Sequence, residues 1–201
     1  CNTFWAEDVT LCGDNTDVAG FRHAAARLVP DLVSTSVLVV GAGGAASAAV
    51  CGLIDAGAAR ITLMNRSPDR ARVLAARLDP SGDVVRVVTS VAEVEGATLD
   101  LVVNASAVGL HDRDPLPFDL TIPAQTGAAL DLVYRRDRAT PFVRHARKLG
   151  IQLVVTDHHQ MAERLPAAAA IVHPGLPGGD YPFLGLCGAA VAFVLLGLPL
   201  P

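Results

Sequence analysis

The sequence predicts an α/β fold, a doubly wound parallel sheet with flanking helices. Two features carry this. Short β-branched runs alternate with Ala-rich and Arg-rich helical stretches, the pattern that builds parallel sheets through βαβ crossovers. A glycine-rich turn also joins the first of these strands to the helix after it. With 201 residues, 51% apolar and 18% charged, the chain can bury one sizeable α/β core. A net charge of −4 provides no basic excess for neutralising phosphates, which excludes a general nucleic-acid surface.

In chain order, Thr16 to Leu28 reads as an amphipathic helix, linked by Val29 to Thr35 to a buried strand at Val37 to Val40. A helix from Gly43 to Ala56 follows, then a strand at Ile61 to Met64 and a helix at Pro68 to Leu78, with Ser67 as its cap and Pro68 in its first turn. Val84 to Val88, Leu99 to Val103, Ala129 to Val133 and Ile151 to Val155 supply four further strands, whose continuous apolar character fits burial on both faces. The Asp- and Pro-rich stretch His111 to Gln125 is expected to be irregular and exposed, and Thr140 to Leu149 to be helical. The tail from Tyr181 carries no charge, but Gly185, Gly188, Gly197, Pro199 and Pro201 interrupt it and no basic residue flanks it. That favours a buried closing helix over a membrane span.

The turn Gly41-Ala42-Gly43-Gly44-Ala45-Ala46 stands between a strand and a helix, the context in which it makes the fold Rossmann-type. Gly41 permits the tight turn, Gly43 lets the backbone approach a pyrophosphate, and Ala46 allows close helix-to-sheet contact. The helix N-terminus adds unpaired N–H groups and a positive dipole end. In NAD-specific sites a carboxylate at the end of the second strand holds the ribose hydroxyls. Here that place reads Asn65-Arg66-Ser67, with Arg70 one turn on. Arg66 and Arg70 can pair a 2′-phosphate with Ser67 as an extra donor, so the expected cofactor is NADP. Arg72 and Arg77 are expected to belong to a solvated helix face.

Cys1, Cys12, Cys51 and Cys187 form no CxxC or zinc-like spacing and are expected to be free, buried thiols. The neighbouring His158 and His159 have no third ligand at suitable spacing, so no metal is expected. No export signal opens the chain, which favours the cytoplasm, and a first residue that is Cys rather than Met suggests a natural start upstream.

Five segments in order resemble the shikimate dehydrogenase family: Asn15-Thr16-Asp17 before a helix; Gly41-Ala42-Gly43-Gly44-Ala45; Asn65-Arg66-Ser67 with Arg70; Asn104-Ala105-Ser106-Ala107-Val108-Gly109; and Asp131-Leu132-Val133-Tyr134 followed by Thr140-Pro141. The resemblance runs from Asn2 to about Asp157. It implies reversible, NADPH-dependent reduction of 3-dehydroshikimate to shikimate, a step toward aromatic amino acids. In the family the Asp of the Asn-Thr-Asp segment works with a Lys of the N-terminal domain on the substrate hydroxyl. Asp17 matches that Asp as catalytic and substrate-binding residue, although it could also be only the cap of the helix behind it. Asn2 and Tyr134 match substrate-binding positions, Leu132 lines the nicotinamide pocket, and Asn104, Ala105 and Ser106 belong to the loop around the nicotinamide riboside. The partner implied is a small cyclic hydroxy acid, shikimate or quinate, and the resemblance allows a homodimer.

On the same resemblance, residues 1–33 are a remnant of the substrate-domain edge with a linking helix, 34–157 the NADP-binding domain, and 158–201 a C-terminal helical, apolar segment. Two departures stand out. Lys148 is the only lysine, so the family's catalytic Lys has no counterpart here. His158 stands where a cofactor-side Gly is expected and Leu165 where a substrate-binding Gln is expected, which leaves an NADP-binding module without catalysis as the alternative.

Overall fold

The computed structural model describes residues 3–111, 113–133, 135, 138–156 and 170–172. Asn2, Tyr134, His158, His159, Leu165 and the apolar tail lie outside the described residues. Two strands, β1 (Thr3–Glu7) and β2 (Thr10–Asp14), pair as an antiparallel hairpin, and α1 (Thr16–Ala26) leads from it into the main body. There β3 (Ser36–Val40), α2 (Gly44–Asp55), β4 (Arg60–Met64), α3 (Pro68–Leu78), β5 (Val85–Val88), β6 (Thr98–Asn104), β7 (Gln125–Asp131), α4 (Pro141–Lys148), β8 (Gln152–Thr156) and β9 (Ala170–Val172) follow. The strands form one sheet in the order β5-β4-β3-β6-β7-β8-β9, every pair parallel. This is the expected Rossmann-type doubly wound arrangement.

Alternation along each strand sorts the core into two layers. Val37 and Val39 of β3, Ile61 and Leu63 of β4, and Leu101 and Val103 of β6 face one side, against Phe21, Ala24 and Ala25 of α1, Ala46, Ala49, Val50 and Leu53 of α2, and Ala71 and Leu74 of α3. The many alanines let these helices lie close to the sheet, and the buried Gly52 lets α1 lie close to α2. A Cβ at Gly52 would sit 3.0 Å from the Phe21 and Arg22 side chains. Leu38, Val102, Ala129, Leu153 and Val155 face the other side, against Val94, Phe142, Val143 and Ala146.

That second layer departs from expectation. The connection from β6 to β7 contains no helix, as expected, but it is not simply exposed, because Phe118 and Leu120 are buried against the sheet. Parallel pairing needs a long crossover, and here irregular chain covers the face that a helix would otherwise cover. His145 of α4 holds this stretch, with its Nε2 at 3.1 Å from the Leu120 N–H and 3.0 Å from Asp119 Oδ1.

Other differences are local. The cap of α1 is Asn15, whose Oδ1 accepts from the Asp17 N–H at 3.2 Å, so Asp17 lies inside the first turn and is not itself the cap. Ser67 does occupy the cap position of α3, yet its side chain makes no capping bond. Cys12 and Cys51 are free but only partly buried, since each sits on an outer surface rather than in the core. Ala170–Val172, in a segment expected to be helical, pairs with β8 as the edge strand β9. Among the described residues no helix is long and apolar enough to cross a membrane.

Candidate functional site

The chain runs from β3 outward to β4 and β5, then returns to β6 on the other side of β3. The order therefore reverses between β3 and β6, and the crevice outside the carboxyl ends of those strands is where open α/β sheets bind ligands. Cross-strand register brings Met64, Val40, Asn104 and Asp131 into one row at this edge.

Gly41 leaves β3 with φ +129°, a conformation that favours glycine. A Cβ there would lie 2.5 Å from the Ala105 carbonyl oxygen and 2.9 Å from the Ser106 nitrogen, so the turn presses on the backbone that leaves β6. The following residues do the opposite. Added Cβ atoms at Gly43 or Gly44 would meet nothing within 4 Å, and α2 starts at Gly43 without a side-chain cap. The space beside these two glycines is thus open, at the positive end of the helix dipole.

Across the crevice, β4 is followed by Asn65, Arg66 and Ser67. The Asn65 Nδ2 donates to the Ser67 carbonyl at 2.9 Å and so fixes the turn into α3. Arg66 and Arg70 are exposed and, among the described residues, carry no ion pair. The one carboxylate of this segment, Asp69, is held by Arg72 at 2.6 Å. No acidic residue occupies the strand end where a ribose diol would be recognised. Ala42, Asp69, Arg70, Val73, Leu74 and Arg77 line a groove of about 320 Å³ beside the glycine turn.

The other flank is a closed network. Asn104 is fully buried, and its Nδ2 donates to Asp131 Oδ1 at 2.9 Å and to the Val108 carbonyl at 3.2 Å. Its Oδ1 accepts from the Ser106 hydroxyl at 2.7 Å and the Ser106 N–H at 3.2 Å. The buried Asp131 carboxylate also accepts from the Val133 N–H at 3.1 Å and from the Thr140 hydroxyl, which itself caps α4 by accepting from Val143. Burial pushes the Asp131 carboxyl up to about 6, against the lowering effect of these hydrogen bonds. Leu132 follows on the same edge, its N–H bonded to the Asn104 carbonyl at 3.0 Å and its side chain against the core.

The family profile described as Shikimate / quinate 5-dehydrogenase matches residues 23–109. A curated shikimate dehydrogenase (NADP(+)) of Rubrobacter xylanophilus is 39% identical over 150 residues, which are 74% of this chain and 52% of that protein. This chain belongs to the shikimate dehydrogenase family. The solved shikimate dehydrogenase of Aquifex aeolicus superposes with a TM-score of 0.63 at 33% identity, covering 77% of this chain and 54% of the other. That of Thermus thermophilus, solved in complex with NADP(H) and shikimate, gives 0.59 at 33% identity, covering 75% and 53%. The chain spans about half the length of the curated relatives it matches.

Of the residues expected in a shikimate dehydrogenase site, the structure gathers Gly41 to Ala45, Asn65 to Ser67, Arg70, Asn104 to Ser106 and Leu132 around one crevice. Asp17 lies in the first turn of α1. Its carboxylate is exposed, and no hydrogen bond of the described residues joins it to that crevice. Lys148 lies in the last turn of α4, which leads into the start of β8, so it sits at the edge opposite the crevice. Sequence reading passed over Asp131 and Thr140 as site residues. The signal was present: a carboxylate ending an apolar strand has to be satisfied by a neighbour.

Proposed function

We propose that this chain holds NADP(H) across the β3/β6 switch point and forms the cofactor half of a dehydrogenase that reversibly reduces 3-dehydroshikimate to shikimate. The observation that carries the reading is the pairing of an open, uncapped glycine turn with Arg66 and Arg70, cations without a carboxylate partner, at the end of β4. Gly41 to Ala45 would lie under the pyrophosphate. Asn65, Arg66, Ser67 and Arg70 would hold the 2′-phosphate, and Ala105, Ser106 and Leu132 would border the nicotinamide. NADPH, when bound, supplies the hydride. Asp17, with Asn2 and Tyr134 toward the substrate, would orient the group that gives the carbonyl oxygen its proton.

That proton handling also needs an ammonium in the family's scheme, and Lys148 sits at the wrong edge to provide it. The same observation favours a second reading, a module that binds NADP without turning over substrate by itself. The family profile covers quinate as well as shikimate, so quinate is the other cyclic hydroxy acid to test. The reading also places the protein in the cytoplasm, with no nucleic acid among its partners.

Fluorescence titration of the purified chain with NADPH and NADH tests the proposal. NADPH is expected to bind at least about ten times more tightly than NADH, a preference that Arg66→Ala should largely erase by removing a charge-assisted contact of about 1.5–3 kcal/mol. Shikimate oxidation by the chain alone should be negligible, and robust turnover would show that no outside ammonium is needed. Failure to bind either nucleotide would end the reading.

A further inference from the structure

Arg77 is expected from its position on α3 to be a solvated helix residue; it is indeed exposed, and it also makes a specific contact across to α2. Its Nη2 donates to the Ser47 hydroxyl of α2 at 2.9 Å, and its side chain lines the same groove as Arg70 and Ala42. Arg70 and Arg77 are two turns apart on one face of α3, and long helical side chains lean toward the N-terminus of their helix. The lean brings the Arg77 guanidinium back along the groove to Ser47, one turn beyond the glycine cap of α2.

The charges of the groove are unequal. Asp69 is its one acidic lining residue among the described residues, and Arg72 holds that carboxylate from outside the groove at 2.6 Å. Arg70 and Arg77 are left facing the space without a carboxylate between them. Ser47 tethers Arg77 through a neutral hydroxyl, which uses one of its five N–H donors and none of its charge. Val73 and Leu74 form an apolar wall between the two guanidinium groups.

Resting on the NADP reading above, we infer that Arg77 is a third cation for the 2′-phosphorylated end of the cofactor, held toward the groove by Ser47 and acting beside Arg66 and Arg70. It is a specificity residue: it senses the phosphate that distinguishes NADP from NAD and leaves the rest of the nucleotide unread.

The test compares wild type, Arg77→Ala, Ser47→Ala and Arg72→Ala by titration with NADPH, NADH and adenosine 2′,5′-bisphosphate, a probe that carries the phosphate without the nicotinamide. Arg77→Ala should weaken NADPH and the bisphosphate about ten-fold and NADH less than about two-fold. Ser47→Ala should show the same selectivity at smaller size, and Arg72→Ala should change every ligand by less than about two-fold. Equal weakening of NADPH and NADH, no weakening, or an equal effect from Arg72→Ala would overturn the inference. Failure of the underlying reading shows separately: Arg66→Ala would then leave the NADPH preference intact.

Discussion

The two flanks of the crevice solve opposite problems with similar residues. On the β3–β4 side the polar groups are left open: α2 begins without a side-chain cap, Ser67 caps no N–H with its side chain, and Arg66 and Arg70 have no acidic partner among the described residues. On the β6–β7 side, Asn104, Ser106, Asp131 and Thr140 satisfy one another behind a buried edge. Open groups cost little where water reaches them, and they wait for a ligand; buried ones must be paired or they destabilise the fold. On the proposed reading one flank binds and the other holds shape, and Gly41 presses the first against the second.

The largest effect should come from emptying the closed flank. Asp131→Ala leaves the Asn104 amide, the Val133 N–H and the Thr140 hydroxyl short of an acceptor inside the protein, and should cost about 3–4 kcal/mol in urea unfolding. Asp131→Asn keeps an acceptor for the first two and a donor toward Thr140, and at pH 7 should stay within about 1 kcal/mol of wild type. An alanine variant as stable as wild type would mean that the network holds nothing.

The same carboxylate gives a pH signature. Its folded pKa of about 6 lies above the unfolded value of 3.8, so the folded state binds the extra proton between them. By linkage its contribution is fully present below about pH 4 and is lost as pH rises through 6, about 3 kcal/mol in all. Asp114 and Asp119 are shifted down and act in the opposite sense, gaining stability as pH rises. The measurement is therefore how the stability difference between wild type and Asp131→Asn changes across pH 4 to 7; that change should vanish if Asp131 titrates as an ordinary surface acid.

The glycines sharpen the contrast further. At Gly41 a methyl group would strike only backbone atoms of Ala105 and Ser106, which cannot rotate away, and the φ of +129° adds strain. Gly41→Ala should cost about 2–3 kcal/mol and weaken NADPH as well. At Gly43 the added methyl meets nothing, so Gly43→Ala should leave the unfolding midpoint almost unchanged while weakening NADPH by filling the space above the helix end. Equal effects of the two substitutions on stability would erase the distinction between packing glycine and binding glycine.

The open flank was legible in the sequence because its chemistry is local: Gly41 to Gly44 and Asn65 to Arg70 are contiguous runs whose spacing alone states their use. The closed flank was legible only in part: Asn104 and Ser106 were named, but β-sheet register brings Asp131 to Asn104, and the cap of α4 brings Thr140 to Asp131. Strands β3, β4, β6 and β8 announced themselves by Val, Ile and Leu runs, whereas β7 starts earlier than expected, since Gln125, Gly127 and Ala128 carry no β-branched signal. Phe118 and Leu120 were hidden among Asp and Pro residues that locally favour a loop; only the uncovered face of the sheet explains their burial. The helix was read correctly from Thr16, but its cap is Asn15 and not Asp17.

The smallest expected effect concerns Arg72, the arginine that faces away from the groove. Its pair with Asp69 is an exposed i,i+3 contact, and such pairs contribute about 0.5 kcal/mol or less. Arg72→Ala should leave urea unfolding unchanged within that margin. Its one specific consequence is to leave the Asp69 carboxylate unpaired at the mouth of the groove, where it would repel a 2′-phosphate through solvent. NADPH affinity should therefore fall slightly at low ionic strength and recover with salt, with NADH unaffected. A large, salt-insensitive loss would place Arg72 among the ligand contacts and make all of α3, rather than one face of it, the cationic wall of the site.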